Sequence, residues 1–125
     1  MRYLLDTHVI LWEFMNSPRR PQKIIDIISN PNNEIFVSIT SIWEITIKIA
    51  AGKLDLSFPK LLNTLKAANY KYLAVSILHL TKILDLPMIH KDPFDRLLIA
   101  TAMVEGLTIA TIDENIQKYD VEWIW

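Results

Sequence analysis

The chain has 125 residues, 51% of them apolar and 22% charged, which is enough to bury a core and excludes a disordered or low-complexity polypeptide. Thirteen Lys and Arg against fourteen Asp and Glu leave a formal charge of −1, which excludes a protein that grips nucleic acid through a broad basic surface. There is no cysteine, so disulfides and thiolate metal sites are excluded, and a reducing cytoplasmic setting is the expectation.

The opening run, MRYLLDTHVILWEF, is apolar but interrupted by Asp6, His8 and Glu13. No small-residue cleavage site follows it, so it reads as folded protein rather than a signal peptide. No stretch approaches the roughly 18 apolar residues of a membrane span. Within it, RYLLD reads as a strand ending at Asp6, and HVILWEFM as a helix stopped by Ser17-Pro18. PQKIIDIISN is amphipathic, with Ile24, Ile25 and Ile28 on one face, and runs into the turn NPNNE. IFVS is a second strand.

SITSIWEITIKIAAGK carries two patterns. Ile45, Ile47 and Ile49 alternate as in a strand, whereas Ile39, Ile42, Trp43, Thr46 and Ala50 form a helical face. The run is long for one strand and ends in Ala50-Ala51-Gly52, so it predicts a helix. SFPKLLNTLKAAN is a helix starting at Ser57, YKYLAVS a third strand, and ILHLTKILDL a helix before Pro87. In DPFDRLLIATAMVEG, Asp92 suits the N-cap, Pro93 the first helical position and Gly106 the end. LTIAT is a fourth strand, ENIQKY a short helix, and VEWIW a fifth strand. Alternating strands and helices without repeat or linker predict one α/β domain over 1–125, a parallel four- or five-stranded sheet with helices on both faces.

On this map four acids converge. Asp6 ends the first strand, Glu44 lies early in the helix after the second, and Asp113 follows the fourth. Asp95 is in the first turn of the helix that leads into the fourth strand. All four therefore fall at the carboxyl edge of the sheet, where open α/β folds bind ligands. Each also has a local reading: Glu44 can close a capping box with Ser41, Asp95 with Asp92, and Asp6 and Asp113 can be N-caps. Capping does not explain why all four share one edge, nor an acid inside SIWEITI. Four clustered carboxylates must protonate or be neutralised by a cation, and an oxygen-only set suits Mg²⁺ or Mn²⁺. Such ions serve phosphoryl chemistry, and would draw in a phosphate that the net charge does not attract.

YLLDTHVILW, SITSIWEITIKIAAGKL and HKDPFDRLLIATAMVEGLTIATIDENI together resemble PIN-domain ribonucleases, and most of all the VapC-like toxins of type II toxin–antitoxin pairs. The resemblance covers nearly the whole chain and is weakest over 56–84. It carries the family's acidic positions onto Asp6, Glu44, Asp95 and Asp113, as metal-holding and catalytic residues. It implies a metal-dependent endoribonuclease acting on RNA, a parallel sheet of four or five strands, a homodimer, and a small cognate antitoxin that inhibits the acidic site. It also implies that the fourth acid, Asp113, is the most peripheral. Asp92 is three residues from Asp95, and the family spacing favours Asp95 as the ligand with Asp92 as the cap.

Thr7, Ser41 and Thr111 are candidates to hydrogen-bond the site acids, with helix capping as the alternative. Arg96 is a candidate phosphate contact or a surface salt bridge, and Lys48, one turn beyond Glu44, can pair with it or face RNA. His8, His79 and His90 are not at metal-ligand spacing and receive no catalytic role. The four tryptophans are read as core or interface, with Trp123 and Trp125 a possible partner patch. The competing class is a PIN-like module that binds RNA or a partner without cutting it. Aspartyl-phosphate phosphatases need an acid two residues after the first, where this chain has His8. A DNA nuclease using the same site stays open.

Overall fold

In a computed structural model describing Met1–Trp125, five parallel strands form a sheet in the order β3-β2-β1-β4-β5. In chain order the elements are β1 (Arg2–Leu5), α1 (Thr7–Phe14), α2 (Gln22–Ser29), β2 (Glu34–Ser38), α3 (Ile39–Ala50), α4 (Phe58–Ala67), β3 (Lys71–Leu73), α5 (Ile77–Ile83), α6 (Pro93–Glu105), β4 (Thr108–Ala110), α7 (Glu114–Gln117) and β5 (Trp123–Ile124).

The sheet is buried on both faces because its strands alternate between two apolar clusters. Tyr3 and Leu5 of β1, Ile35 and Val37 of β2 and Ala110 of β4 face one layer, with Val9, Ile10, Ile24, Ile42, Ile45, Leu61 and Leu65 from α1 to α4. Leu4, Phe36 and Ile109 face the other, with Leu98, Ile99 and Ala102 of α6 and Ile116 of α7. That is the period-2 geometry of a strand sandwiched between two helical layers.

The ambiguous segment is helical over Ile39–Ala50, capped by the Ser38 hydroxyl, which accepts from Thr40 N–H at 3.0 Å. Burial of Ile42 and Ile45 against the first layer overrides the strand-like Ile45/Ile47/Ile49 alternation. Because the cap is Ser38, Ser41 already lies inside the helix, and no capping box joins it to Glu44. β3 is shorter than YKYLAVS suggests, since after Leu73 the chain leaves the sheet edge for the Ser76 cap of α5. Trp43 is 58% exposed, packed edge-on to Phe94 at 5.1 Å, so it is not a core residue; Trp125 packs on Trp12 at 5.6 Å. No helix is long and apolar enough to cross a membrane.

Strands β1, β2 and β3 build the sheet outward in one direction, and the chain then crosses to lay β4 and β5 on the other side of β1. The order reverses between β1 and β4, and the crevice beyond their carboxyl ends is where such folds bind ligands. Leu5 pairs with Ala110, so Asp6 and Thr111, the next residues on each strand, emerge side by side there.

Candidate metal centre

Asp6 is the N-cap of α1 and is only 2% exposed. Its Oδ1 accepts from His8 N–H at 3.4 Å, while its Oδ2 accepts a short 2.6 Å bond from the Thr111 hydroxyl. Thr111 Oγ1 in turn accepts from Asp113 N–H at 3.0 Å, so one threonine ties the ends of β1 and β4 together. Asp113 caps α7: its Oδ1 accepts from Asn115 N–H at 2.8 Å and Ile116 N–H at 3.3 Å.

Asp113 Oδ2 lies 3.2 Å from His90 Nε2, and the same nitrogen lies 2.9 Å from Asp95 Oδ2. Ligand atoms of His90, Asp95 and Asp113 all fall within 4.8 Å of one another. Asp92 is the cap of α6, its Oδ1 accepting from Phe94 N–H at 2.8 Å and Asp95 N–H at 3.3 Å, which leaves the Asp95 carboxylate for the cluster.

Glu44 is 7% exposed. Its Oε2 pairs with Lys48 Nζ at 3.1 Å one turn on, and its Oε1 is buried with no hydrogen-bond partner. Glu44 shares no hydrogen bond with the other three acids and lies outside the His90–Asp95–Asp113 cluster, but its charge acts on Asp95. Thr7 and Ser41, both buried, share a hydroxyl–hydroxyl bond of 2.9 Å that links α1 to α3, rather than bonding a carboxylate.

The electrostatics follow from burial. Asp95 is pushed up to about 7, first by loss of solvent, then by the charges of Asp6 and Asp92, with Glu44 adding to the effect and His90 opposing it. Asp6 is raised as well, chiefly by burial, against the lowering bond from Thr111. For Asp113 burial opposes ionisation, but hydrogen bonds from Asn115 N–H, His90 and Ile116 N–H outweigh it and hold the carboxyl below its ordinary value. Two carboxylates that resist ionisation beside an unpartnered Glu44 oxygen describe a site short of positive charge. The oxygen donors present fit a hard divalent cation.

Arg96 departs from both sequence-based expectations. Its guanidinium is buried, 8% exposed, and lies neither in a surface salt bridge nor towards a phosphate. It donates to the carbonyls of Pro87 at 2.9 Å and Ile83 at 3.3 Å and to Tyr119 Oη at 3.2 Å, bracing the loop between α5 and α6. His90 is the residue that spacing arguments missed. The signal was its place in HKDPFD, two residues before a capping Asp and in the loop that delivers Asp95. His79 is buried away from the acids, its Nε2 2.7 Å from Glu105 Oε1 and its Nδ1 accepting from Ser76 N–H. A depression of about 970 Å³ lies at the opposite edge of the sheet, among Asn30, Asn33, Asn63 and Asn69, and none of the site acids lines it.

No curated protein matches the chain significantly by sequence. Among solved structures it is similar to a chain of VapBC2 from Rickettsia felis bound to a DNA fragment from its promoter, with TM-score 0.77 and 15% identity over 100% of this chain and 99% of that one. It is also similar to a chain of VapBC-1 from nontypeable Haemophilus influenzae, with TM-score 0.67 and 19% identity over 99% and 97% of the two chains. A toxin–antitoxin complex from Klebsiella pneumoniae gives TM-score 0.66 and 18% identity over 98% and 96%. At such identities the likeness is one of fold. The sequence itself matches the PIN domain family over residues 3–122, and the chain therefore belongs to that family.

Proposed function

We propose that this chain is a Mg²⁺- or Mn²⁺-dependent endoribonuclease that hydrolyses RNA phosphodiester bonds, and that it is the toxin of a type II toxin–antitoxin pair. The observation that carries the reading is the unpartnered, buried Glu44 Oε1 set among acids whose burial and mutual repulsion favour protonation. An apolar helix holds that carboxylate rigidly at a cost that binding a cation offsets.

Asp6, Glu44, Asp95 and Asp113 would hold the cation through oxygen atoms. When bound, it supplies activation of a water and stabilisation of charge on the phosphate and the departing oxygen. The chain's own residues supply the positioning. Thr111 fixes Asp6 Oδ2 at 2.6 Å, leaving Oδ1 with only the long contact from His8 N–H. Lys48 engages Glu44 Oε2 and leaves Oε1 free, while its partly exposed ammonium offers a local positive charge for a phosphate on a chain with no net basicity.

The fold shared with chains of VapBC and other toxin–antitoxin complexes supports a small antitoxin as partner. A homodimer and a cytoplasmic setting complete the proposal, on the resemblance and on the absence of cysteine. The test is cleavage of RNA by the purified chain, free of antitoxin, with Mn²⁺ or Mg²⁺, beside an identically prepared Asp6→Asn protein. Cleavage is expected in the wild type alone and is expected to stop with chelator. Equal behaviour of the two proteins across metals and RNA substrates would favour a module that binds without cutting.

A further inference from the structure

The acids Asp95 and Asp113 arrive on different elements, α6 and the β4–α7 turn, and the only side chain touching both carboxylates is His90. The hydrogen-bond roles of its two ring nitrogens follow from its backbone neighbour. The amide N–H of Asp92 can only donate, and it donates to His90 Nδ1 at 3.2 Å. Nδ1 therefore carries a lone pair, and the proton of the imidazole sits on Nε2. That N–H faces Asp95 Oδ2 at 2.9 Å and Asp113 Oδ2 at 3.2 Å and is shared between them. With Nε2 protonated and Nδ1 engaged, neither nitrogen is available as a metal ligand.

The ring is itself held. His90 N–H donates to Tyr119 Oη at 2.8 Å, and Tyr119 Oη donates to Pro87 O at 2.8 Å. Arg96, the residue after Asp95, donates to both Tyr119 Oη and Pro87 O. A buried strut thus runs from α6 through Arg96 and Tyr119 to the His90 backbone, and returns through the imidazole to Asp95.

We infer that His90 is a positioning residue for the acidic site: its Nε2–H clamps Asp95 to Asp113 at the separation a shared cation needs, and Arg96 and Tyr119 hold it there. The inference rests on the metal-site reading above but not on RNA being the substrate. Partners that orient ligands in this way contribute about 10–100-fold to metal affinity when removed.

The experiment measures Mn²⁺ affinity by electron paramagnetic resonance for wild type, His90→Ala, His90→Gln, Tyr119→Phe and Asp6→Asn, each checked for native circular dichroism. His90→Ala is expected to bind Mn²⁺ about tenfold or more weakly. His90→Gln, whose amide N–H reaches the same carboxylates, is expected to recover most of the loss. Tyr119→Phe is expected to fall between Ala and wild type. Unchanged affinity in His90→Ala would overturn the inference. So would resolved nitrogen coupling to the Mn²⁺ signal in ¹⁵N-histidine-labelled wild type, since that would make His90 a direct ligand. Wild-type affinity in Asp6→Asn would instead sink the metal site itself, and the inference with it. Mn²⁺ binding that depends on His90 without RNA cleavage would leave the inference standing and remove only the nuclease.

Discussion

Replacing Asp95 by Asn should make the metal-free protein more stable at neutral and alkaline pH. In the folded chain Asp95 is pushed from its ordinary 3.8 up to about 7, chiefly by burial and then by Asp6 and Asp92. A carboxyl with a raised folded value binds its proton more tightly in the native state than in the unfolded one. Between pH 4 and 7 the native state therefore holds more protons, and stability falls as pH rises, levelling off above 7. At about 1.4 kcal/mol per pH unit the whole span would integrate to roughly 4 kcal/mol. Solvent reaches part of this carboxylate, so roughly half of that, about 2 kcal/mol, is the expected loss. Asn keeps an oxygen to accept from His90 Nε2, retains the shape and removes the charge. Urea unfolding in chelator at pH 5, 7 and 8.5 should show wild type losing stability across the series. Asp95→Asn should be flatter and the more stable protein at pH 8.5. A wild type equally stable at pH 5 and 8.5, with Asp95→Asn no better, would refute the claim that burial and the neighbouring carboxylates hold Asp95 against ionisation.

Saturating Mn²⁺ should stabilise the wild type, by about 2.7 kcal/mol at a hundred times its dissociation constant, which is several degrees in a thermal melt. The same addition to Glu44→Gln should raise the melting temperature much less, although that variant should start at or above the wild-type value in chelator. Arg96→Met should cost about 1.5–3 kcal/mol in urea unfolding, because it removes a charged donor from Tyr119 Oη and from the part-buried carbonyls of Pro87 and Ile83; a cost below about 0.5 kcal/mol would return Arg96 to the surface role its sequence suggests. Asp113→Asn should fold like wild type, since Asn caps a helix as well as Asp, whereas Asp113→Ala should lose about 1 kcal/mol; equal stability of the two would show that the cap on α7 is dispensable.

The sheet, its five strands and the arrival of Asp6, Asp95 and Asp113 at its carboxyl edge were legible because they follow from periodicity and chain order. Pro93 and Gly106 bounded α6 as expected, with Gly106 at φ 67° in the left-handed cap. What depended on three-dimensional closure was not legible. Arg96 sits on a helix in a charged stretch, DPFDR, and nothing local says that the α5–α6 loop folds over it and presents its carbonyls. His90 looks isolated along the chain, because its two carboxylate partners are 5 and 23 residues away and its tautomer is set by a backbone amide. The helix of Glu44 could be read as a strand until the burial of Ile42 and Ile45 chose between the two periods.

The capping and metal-binding readings of these acids compete only when each residue is treated as having one oxygen. A helix N-cap after a parallel strand already stands at the carboxyl edge of the sheet, with its side chain bent back over the first turn. Asp113 spends Oδ1 on the amides of Asn115 and Ile116 and turns Oδ2 to His90. Asp6 spends Oδ1 weakly on His8 N–H and gives Oδ2 to Thr111, which is itself tied to Asp113 N–H. The cap thus fixes the rotamer through one oxygen, while Thr111 or His90 holds the other at the carboxyl ends of β1 and β4. Glu44 and Asp95 lack that device, being inside their helices rather than ahead of them, and are anchored instead by Lys48 and His90. Two helix caps, a lysine ion pair and a histidine hydrogen bond are the local devices that hold the four carboxylates. In the proposed site these devices would let a chain with a net charge of −1 gather the negative charge that a cation, and through it a phosphate, would bind.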